Sequence, residues 1–327
     1  MQRIRNYKLR FKEYLQERSI NKFINTNKLN QQFNDFRKHT LIFGVPRGGT
    51  SWLQEILVQE RDAIIWEPLH FEHLQKHTNA NFHIHMGHIP YIPKEAIWAD
   101  AEHYFSLLFK GEIAFGLQNH FQLSNLPLSS TTGLTIKFCR GNLLLPWLTK
   151  SFPSIRPIYL IRHPLTTIAS QWNYTALKDI GVRHNIFNVQ NPKHHDIFDQ
   201  FEKFISKAKS REAVFANWWA IQNIIPLTAN QSNWITVSYE HLFATPEIEL
   251  KRIGNYLERD LTDNLIRVDK PSFVTMPESC LIHNREMQLE SWKRVLTIHQ
   301  AREIMAIIKD YGIDIYDETP FPNIRYK

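Results

Sequence analysis

Cysteine is nearly absent from this chain. Two in 327 residues, Cys139 and Cys280, cannot build a disulfide framework, and neither has the CxxC spacing of a zinc or redox site. Glycine is also scarce, with eleven making up about 3% against a usual ~7%. Long apolar runs are missing. The densest patch, Leu143-Leu144-Leu145-Pro146-Trp147-Leu148, falls far below the roughly 18 residues of a bilayer span. Met1-Gln2-Arg3-Ile4-Arg5 carries no apolar stretch of a secretory signal. No repeat or low-complexity tract interrupts the chain. These absences predict a soluble, cytoplasmic protein with reduced thiols.

What is present supports a large folded core. The chain is 43% hydrophobic and 22% charged, which excludes wholesale disorder. Thirty-nine Lys and Arg against thirty-two Asp and Glu leave a net charge of +7. A basic excess of this kind predicts an anionic partner: nucleic acid, a membrane surface, or a phosphate- or sulfate-bearing ligand. Part of it lies in residues 1–38, where Ile4, Tyr7, Phe11, Tyr14 and Leu15 recur at helical spacing among Lys and Arg. That pattern predicts a basic amphipathic helical extension. It either lies on an anionic membrane, making the protein peripheral there, or packs on its own domain or on the twin subunit of a homodimer.

Five apolar segments without clean alternation, at 39–45, 62–67, 134–139, 155–162 and 234–239, read as short strands covered on both faces of a parallel sheet. Helical patterns fall between and after them at 50–59, 142–151, 164–174, 199–224, 247–257 and 287–309. The alternation predicts one α/β domain over 39–327, a central, mostly parallel five-stranded sheet flanked by helices, with ligands at the carboxyl ends of the strands. Two stretches break the rhythm and are expected to be acceptor-side insertions, 70–132 and 179–230.

Three of the eleven glycines fall within six residues, in Gly44-Val45-Pro46-Arg47-Gly48-Gly49-Thr50-Ser51. A strand leads into this turn and a helix leaves it. That arrangement points backbone N–H groups and a helix dipole at a bound oxyanion. Set against the nucleotide-binding pattern GxxxxGK(S/T), Gly44, Gly49 and Ser51 match, but Thr50 stands at the lysine. The missing lysine argues against a magnesium–nucleotide kinase. A shorter anion chain, such as one phosphate carrying one sulfate, remains compatible. Further along, Ile158-Tyr159-Leu160-Ile161-Arg162-His163-Pro164 is followed by Ser170. Arg162 at a strand end offers a bidentate fork to a phosphate dianion, and Pro164 suits the first turn of the next helix.

Pro46 to Leu53 resembles the 5′-phosphosulfate loop of the sulfotransferases, P-K/R-S/G-G-T/S-T/S-W-L. Arg162 with Ser170 eight residues on resembles that family's 3′-phosphate motif. Trp66-Glu67-Pro68-Leu69, Ile136-Lys137-Phe138-Cys139-Arg140 and Val237-Ser238-Tyr239-Glu240-His241-Leu242 are similar to elements of its carbohydrate branch; Trp292-Lys293, opening the last helix, is family-like too. The resemblance implies a P-loop-type fold and 3′-phosphoadenosine 5′-phosphosulfate (PAPS) as donor. It implies a carbohydrate or other hydroxyl acceptor and no metal. It places Arg47, Gly48, Gly49, Thr50, Ser51, Trp52, Arg162, Ser170 and Tyr239 around the donor. Trp52 either stacks on adenine or packs in the core, and Arg140 either holds the donor phosphate or pairs with an acid.

Sulfuryl transfer needs cations and N–H donors at the leaving oxygen and a base opposite. Arg47, Lys137 and the backbone of 48–51 supply the former. The family often has lysine where Arg47 stands, and a guanidinium does not readily donate a proton. Glu67 is the expected base, His70 competes with it, and His120 is a distant third. His83-Ile84-His85 with His88, and His194-His195, lack the carboxylate or cysteine that would complete a metal site. The Trp218-Trp219 pair reads as core. A nucleic-acid-binding protein would cluster its Lys and Arg among aromatics; beyond residue 38 they are dispersed, so no nucleic-acid partner is expected.

Overall fold

The structure is a computed structural model. It describes residues 35–60, 62–69, 89–112, 132–174, 196–229, 233–272 and 285–324. The expected helix within 1–38 therefore lies largely outside the described residues, as do His70, His120, Cys280, the histidines at 83–88 and 194–195, and much of both acceptor-side stretches.

Five parallel strands form the sheet in the order β2-β3-β1-β4-β5. They are β1 (Thr40–Phe43), β2 (Asp62–Trp66), β3 (Gly133–Phe138), β4 (Pro157–Ile161) and β5 (Ile235–Ser238). Every residue of β1, β3 and β4 is buried, which is why their sequences are mostly apolar rather than alternating; Thr40, Thr135 and Lys137 are the buried polar exceptions. Side chains of successive residues still point to opposite faces. Leu41, Phe43, Ile136, Phe138, Tyr159 and Ile161 join one cluster, and Ile42, Ile158, Leu160 and Val237 join the other.

The first face is covered by α2 (Ala99–Phe109), α3 (Leu145–Ser151), α4 (Pro164–Trp172), α5 (Arg211–Thr228) and α8 (Ile298–Asp310). The second carries α1 (Thr50–Leu57), α6 (Tyr239–Ala244) and α7 (Pro246–Leu257). Trp218 and Trp219 lie in the first core.

The five strands stand where their apolar runs predicted them; α2 lies where no helix was expected, and three further corrections apply. The pattern at 199–224 is not one helix. Two single turns, Asp196–Asp199 and Glu202–Ile205, precede α5, whose start is set by Ser210 accepting the Ala213 N–H at 3.0 Å. The pattern at 287–309 is likewise split. Trp292 and Lys293 sit in a short turn, and α8 begins only after the capping box of Thr297 and Gln300. Tyr239 is not the end of a strand but the first residue of α6, because the Ser238 hydroxyl caps the His241 N–H at 3.1 Å.

Two buried histidines pin the frame. His39 Nδ1 accepts from Leu134 N–H at 3.2 Å, and its Nε2–H donates to the Phe109 carbonyl at 2.8 Å. His163 does the same with Leu165 N–H (3.2 Å) and the Asp317 carbonyl (3.2 Å). Burial above all pushes each imidazole down from 6.5 to about 4. Folded histidine thus stays neutral where unfolded histidine takes a proton. The stabilisation is complete above pH 6.5 and is lost as pH falls through that value toward 4, by up to roughly 3 kcal/mol per ring. Melting temperatures measured from pH 7.5 down to 4 are expected to fall steeply below 6.5. A flat profile there would contradict neutral buried rings.

Candidate active site

All the candidate chemistry sits at the carboxyl ends of the strands, where the order reverses around β1. Leaving β1, the Gly44 N–H extends the ladder to the Phe138 carbonyl at 3.1 Å, and the Gly48 N–H closes a turn on the Val45 carbonyl at 2.9 Å. Two residues of this loop lie in the left-handed region, Arg47 at φ 65° and Gly49 at φ 94°. Gly49 is required twice over, since a Cβ there would stand 2.6 Å from Tyr239 Cδ2. It precedes α1, whose N-terminus has no side-chain cap, so the first N–H groups of α1 face the loop.

Glu67 follows β2, also left-handed at φ 51°, a setting that costs a non-glycine residue on the order of 1–2 kcal/mol. Its N–H donates to the Lys137 carbonyl at 3.1 Å. Its carboxylate, 22% exposed, lies 3.0 Å from Lys137 Nζ through Oε1 and accepts the Cys139 N–H at 3.1 Å through Oε2. Lys137 stands opposite Ile42 in the sheet, on the face that carries α1, and its ammonium also donates to Ser51 Oγ at 2.9 Å. Burial pushes the Glu67 carboxyl up, but the Lys137 charge and the bonds from Cys139 and Lys137 outweigh it and hold the group below its ordinary 4.5. Cys139 bonds Thr50 Oγ1 at 3.2 Å, and burial, seconded by Glu67, drives its thiol up to about 12. It is not a nucleophile.

Arg162 follows β4. Its Nη1 donates to the Arg47 carbonyl at 3.2 Å, its guanidinium lies 4.1 Å above the Tyr239 ring, and its Nε is buried without a hydrogen-bond partner. The side chain of Arg47 donates from Nε to Ser170 Oγ at 3.1 Å and packs 4.9 Å from the Tyr174 ring. Burial first, and Arg162 second, push the Arg47 guanidinium below its usual value. Neither arginine makes a contact ion pair with a carboxylate among the described residues, although Glu240 acts on Arg162 at longer range. A buried guanidinium beside a half-buried one, with an orphaned N–H, fits an anion carrying several oxygens.

The structure thus joins Arg47, Gly48, Gly49, Thr50, Ser51, Lys137, Glu67, Arg162, Ser170 and Tyr239 into one continuous set. Trp52 is buried in the second core, 4.9 Å from Tyr239 and 6.0 Å from Phe243, with Nε1–H bonded to the Val268 carbonyl at 3.2 Å. Arg140 is partly buried just beyond β3.

Two participants escaped the sequence reading. Gln171 donates to the Pro46 carbonyl at 2.7 Å; its only signal was a polar residue beside Ser170. Glu240 accepts the His163 N–H (2.8 Å), Ser238 Oγ–H (3.0 Å) and Tyr316 O–H (2.8 Å), and burial raises its carboxyl. It braces the turn that carries Arg162. Among the described residues no group of three His, Cys, Asp or Glu could hold a metal, and no helix is long and apolar enough to cross a membrane.

The sulfotransferase-domain profile matches residues 37–311. The chain belongs to the sulfotransferase family. No curated protein matches it. Among solved structures, this sulfotransferase is similar to the sulfotransferase domain of the Synechococcus PCC 7002 olefin synthase, with 16% identity, 85% of this chain and 95% of that one covered, and a TM-score of 0.43. It is also similar to the sulfotransferase domain of the curacin biosynthetic pathway (15%, 84% and 98%, 0.43). A mouse sulfotransferase complexed with PAP gives 15% identity, 88% and 90% coverage and a TM-score of 0.40. As a family member the chain is an enzyme of sulfuryl transfer with a hydroxyl-bearing acceptor, and that family uses PAPS.

Proposed function

We propose that this sulfotransferase takes the sulfuryl group from PAPS and places it on a hydroxyl of a carbohydrate or glycoconjugate, with Glu67 as base. The observation that carries this reading is the single ammonium of Lys137, shared between the loop hydroxyl Ser51 and the carboxylate of Glu67. It sets a cation at the leaving-group loop and a base one side chain away. The orphaned Arg162 Nε, with Ser170, suits the 3′-phosphate, and Tyr239, beneath the Arg162 guanidinium, suits the nucleoside side, with Trp52 packed behind it in the core. A carbohydrate acceptor is supported by the likeness of 66–69 and 136–140 to the carbohydrate branch.

In the reaction, Glu67 takes the proton of the acceptor hydroxyl as its oxygen attacks sulfur. The bond from sulfur to the bridging phosphate oxygen breaks, and Lys137, Arg47 and the N–H groups of 48–51 receive the charge that builds on that oxygen. Lys137 must turn from Glu67 toward the donor for this to happen. The carboxylate then loses the cation that holds its proton affinity down and becomes a better base as the donor binds.

Titration calorimetry with adenosine 3′,5′-bisphosphate, followed by transfer from PAPS to a panel of hydroxylated sugars, tests the reading. Arg162→Ala is expected to weaken bisphosphate binding by about 1.5–3 kcal/mol, the loss of charged hydrogen bonds. Unchanged affinity would remove Arg162 from the donor site. A parent protein that binds no bisphosphate would overturn the donor assignment itself.

A further inference from the structure

Three side chains of the Arg162–Gln171 segment reach back to the donor loop, and they grip two successive residues. Gln171 Nε2–H bonds the Pro46 carbonyl at 2.7 Å, Arg162 Nη1–H the Arg47 carbonyl at 3.2 Å, and Ser170 Oγ accepts Arg47 Nε–H at 3.1 Å. The residue they enclose, Arg47, has the unfavourable φ of 65°, which only surrounding contacts can maintain. A carbonyl can only accept, so the Gln171 amide must present its NH₂ to Pro46. Gln171 is 0% exposed, whereas Ser170 is not buried and Arg162 retains an unpaired N–H.

The three ties differ in what happens when the donor arrives. Resting on the reading above, Arg162 and Ser170 bind the 3′-phosphate, so their bonds to Arg47 compete with the ligand. The bond from Gln171 does not. We infer that Gln171 is a positioning residue. It holds the Pro46 carbonyl so that Arg47 keeps its left-handed turn, and its guanidinium its aim at the leaving oxygen, once Arg162 and Ser170 have turned to the 3′-phosphate. Ser170 and Gln171 are consecutive in α4, so the helix that senses one end of the donor sets the geometry at the other.

Gln171→Met keeps the volume and removes the donor. It is expected to lower kcat about tenfold to thirtyfold while bisphosphate Kd and donor KM stay within about threefold, the pattern of an interaction expressed after binding. In an Arg47→Ala background the same substitution is expected to change kcat by less than about twofold, because the group it positions is gone. Gln171→Asn, whose shorter amide falls short of Pro46, carries the same expectation and serves if the methionine variant does not fold. Unchanged kcat, a loss confined to Kd and KM, or losses that multiply in the double variant would each overturn the inference. Such results on a parent that binds the bisphosphate and transfers from PAPS leave the donor reading intact. A parent that does neither removes both.

Discussion

Glu67→Gln is expected to lower sulfuryl transfer about a hundredfold or more, the usual share of a positioned general base. Bisphosphate binding should stay near that of the parent. The amide oxygen can still accept the Cys139 N–H that Glu67 accepts at 3.1 Å, so the loop after β2 keeps its shape and the loss falls on turnover. The acid side of the pH profile carries a second expectation. With Lys137 at 3.0 Å, the Glu67 carboxyl lies below its ordinary 4.5. It is ionised throughout the neutral range, so kcat/KM should lose its base only as pH falls below 4.5. Turnover of Glu67→Gln equal to the parent would take the base away from Glu67 and give it to His70 or another group.

Lys137→Met is expected to cost about a hundredfold to a thousandfold in kcat, the effect of removing one preorganised donor from a developing oxyanion. It should also move the acid limb. Lys137 is the largest of the influences that lower the Glu67 carboxyl, and burial is the influence that raises it. Without the ammonium the carboxyl rises, and activity begins to fall at a higher pH than in the parent. Calorimetry of the bisphosphate separates this from a binding defect. A variant with full kcat, or with its acid limb unmoved, would show that the ammonium serves only the fold.

The sheet was legible because strands buried on both faces are apolar along most of their length, Lys137 of β3 being the exception that serves the site. The donor loop was legible because Gly44, Gly48 and Gly49 stand together in a chain with few glycines. Position 49 needs glycine for a physical reason that spacing alone does not reveal, the approach of Tyr239. The helix α2 went unread although Ala101, Tyr104, Phe105, Leu108 and Phe109 form a clear stripe; the His- and Asn-rich sequence around it masked the period. Gln171 and Glu240 were not legible as participants. Each acts through a buried bond to a backbone group far off in sequence, Pro46 and His163 respectively. No local pattern encodes such a bond.

The central position of β1 also shapes how the chain must be born. Thr40–Phe43 lies between β3 and β4, neither of which is complete until residues 138 and 161 have been made. At ordinary translation speeds the innermost strand emerges on the order of ten seconds before its partners. During that interval the nascent chain shows an unpaired, adhesive apolar edge, so the yield of active enzyme should depend on chaperones that shield it at the ribosome.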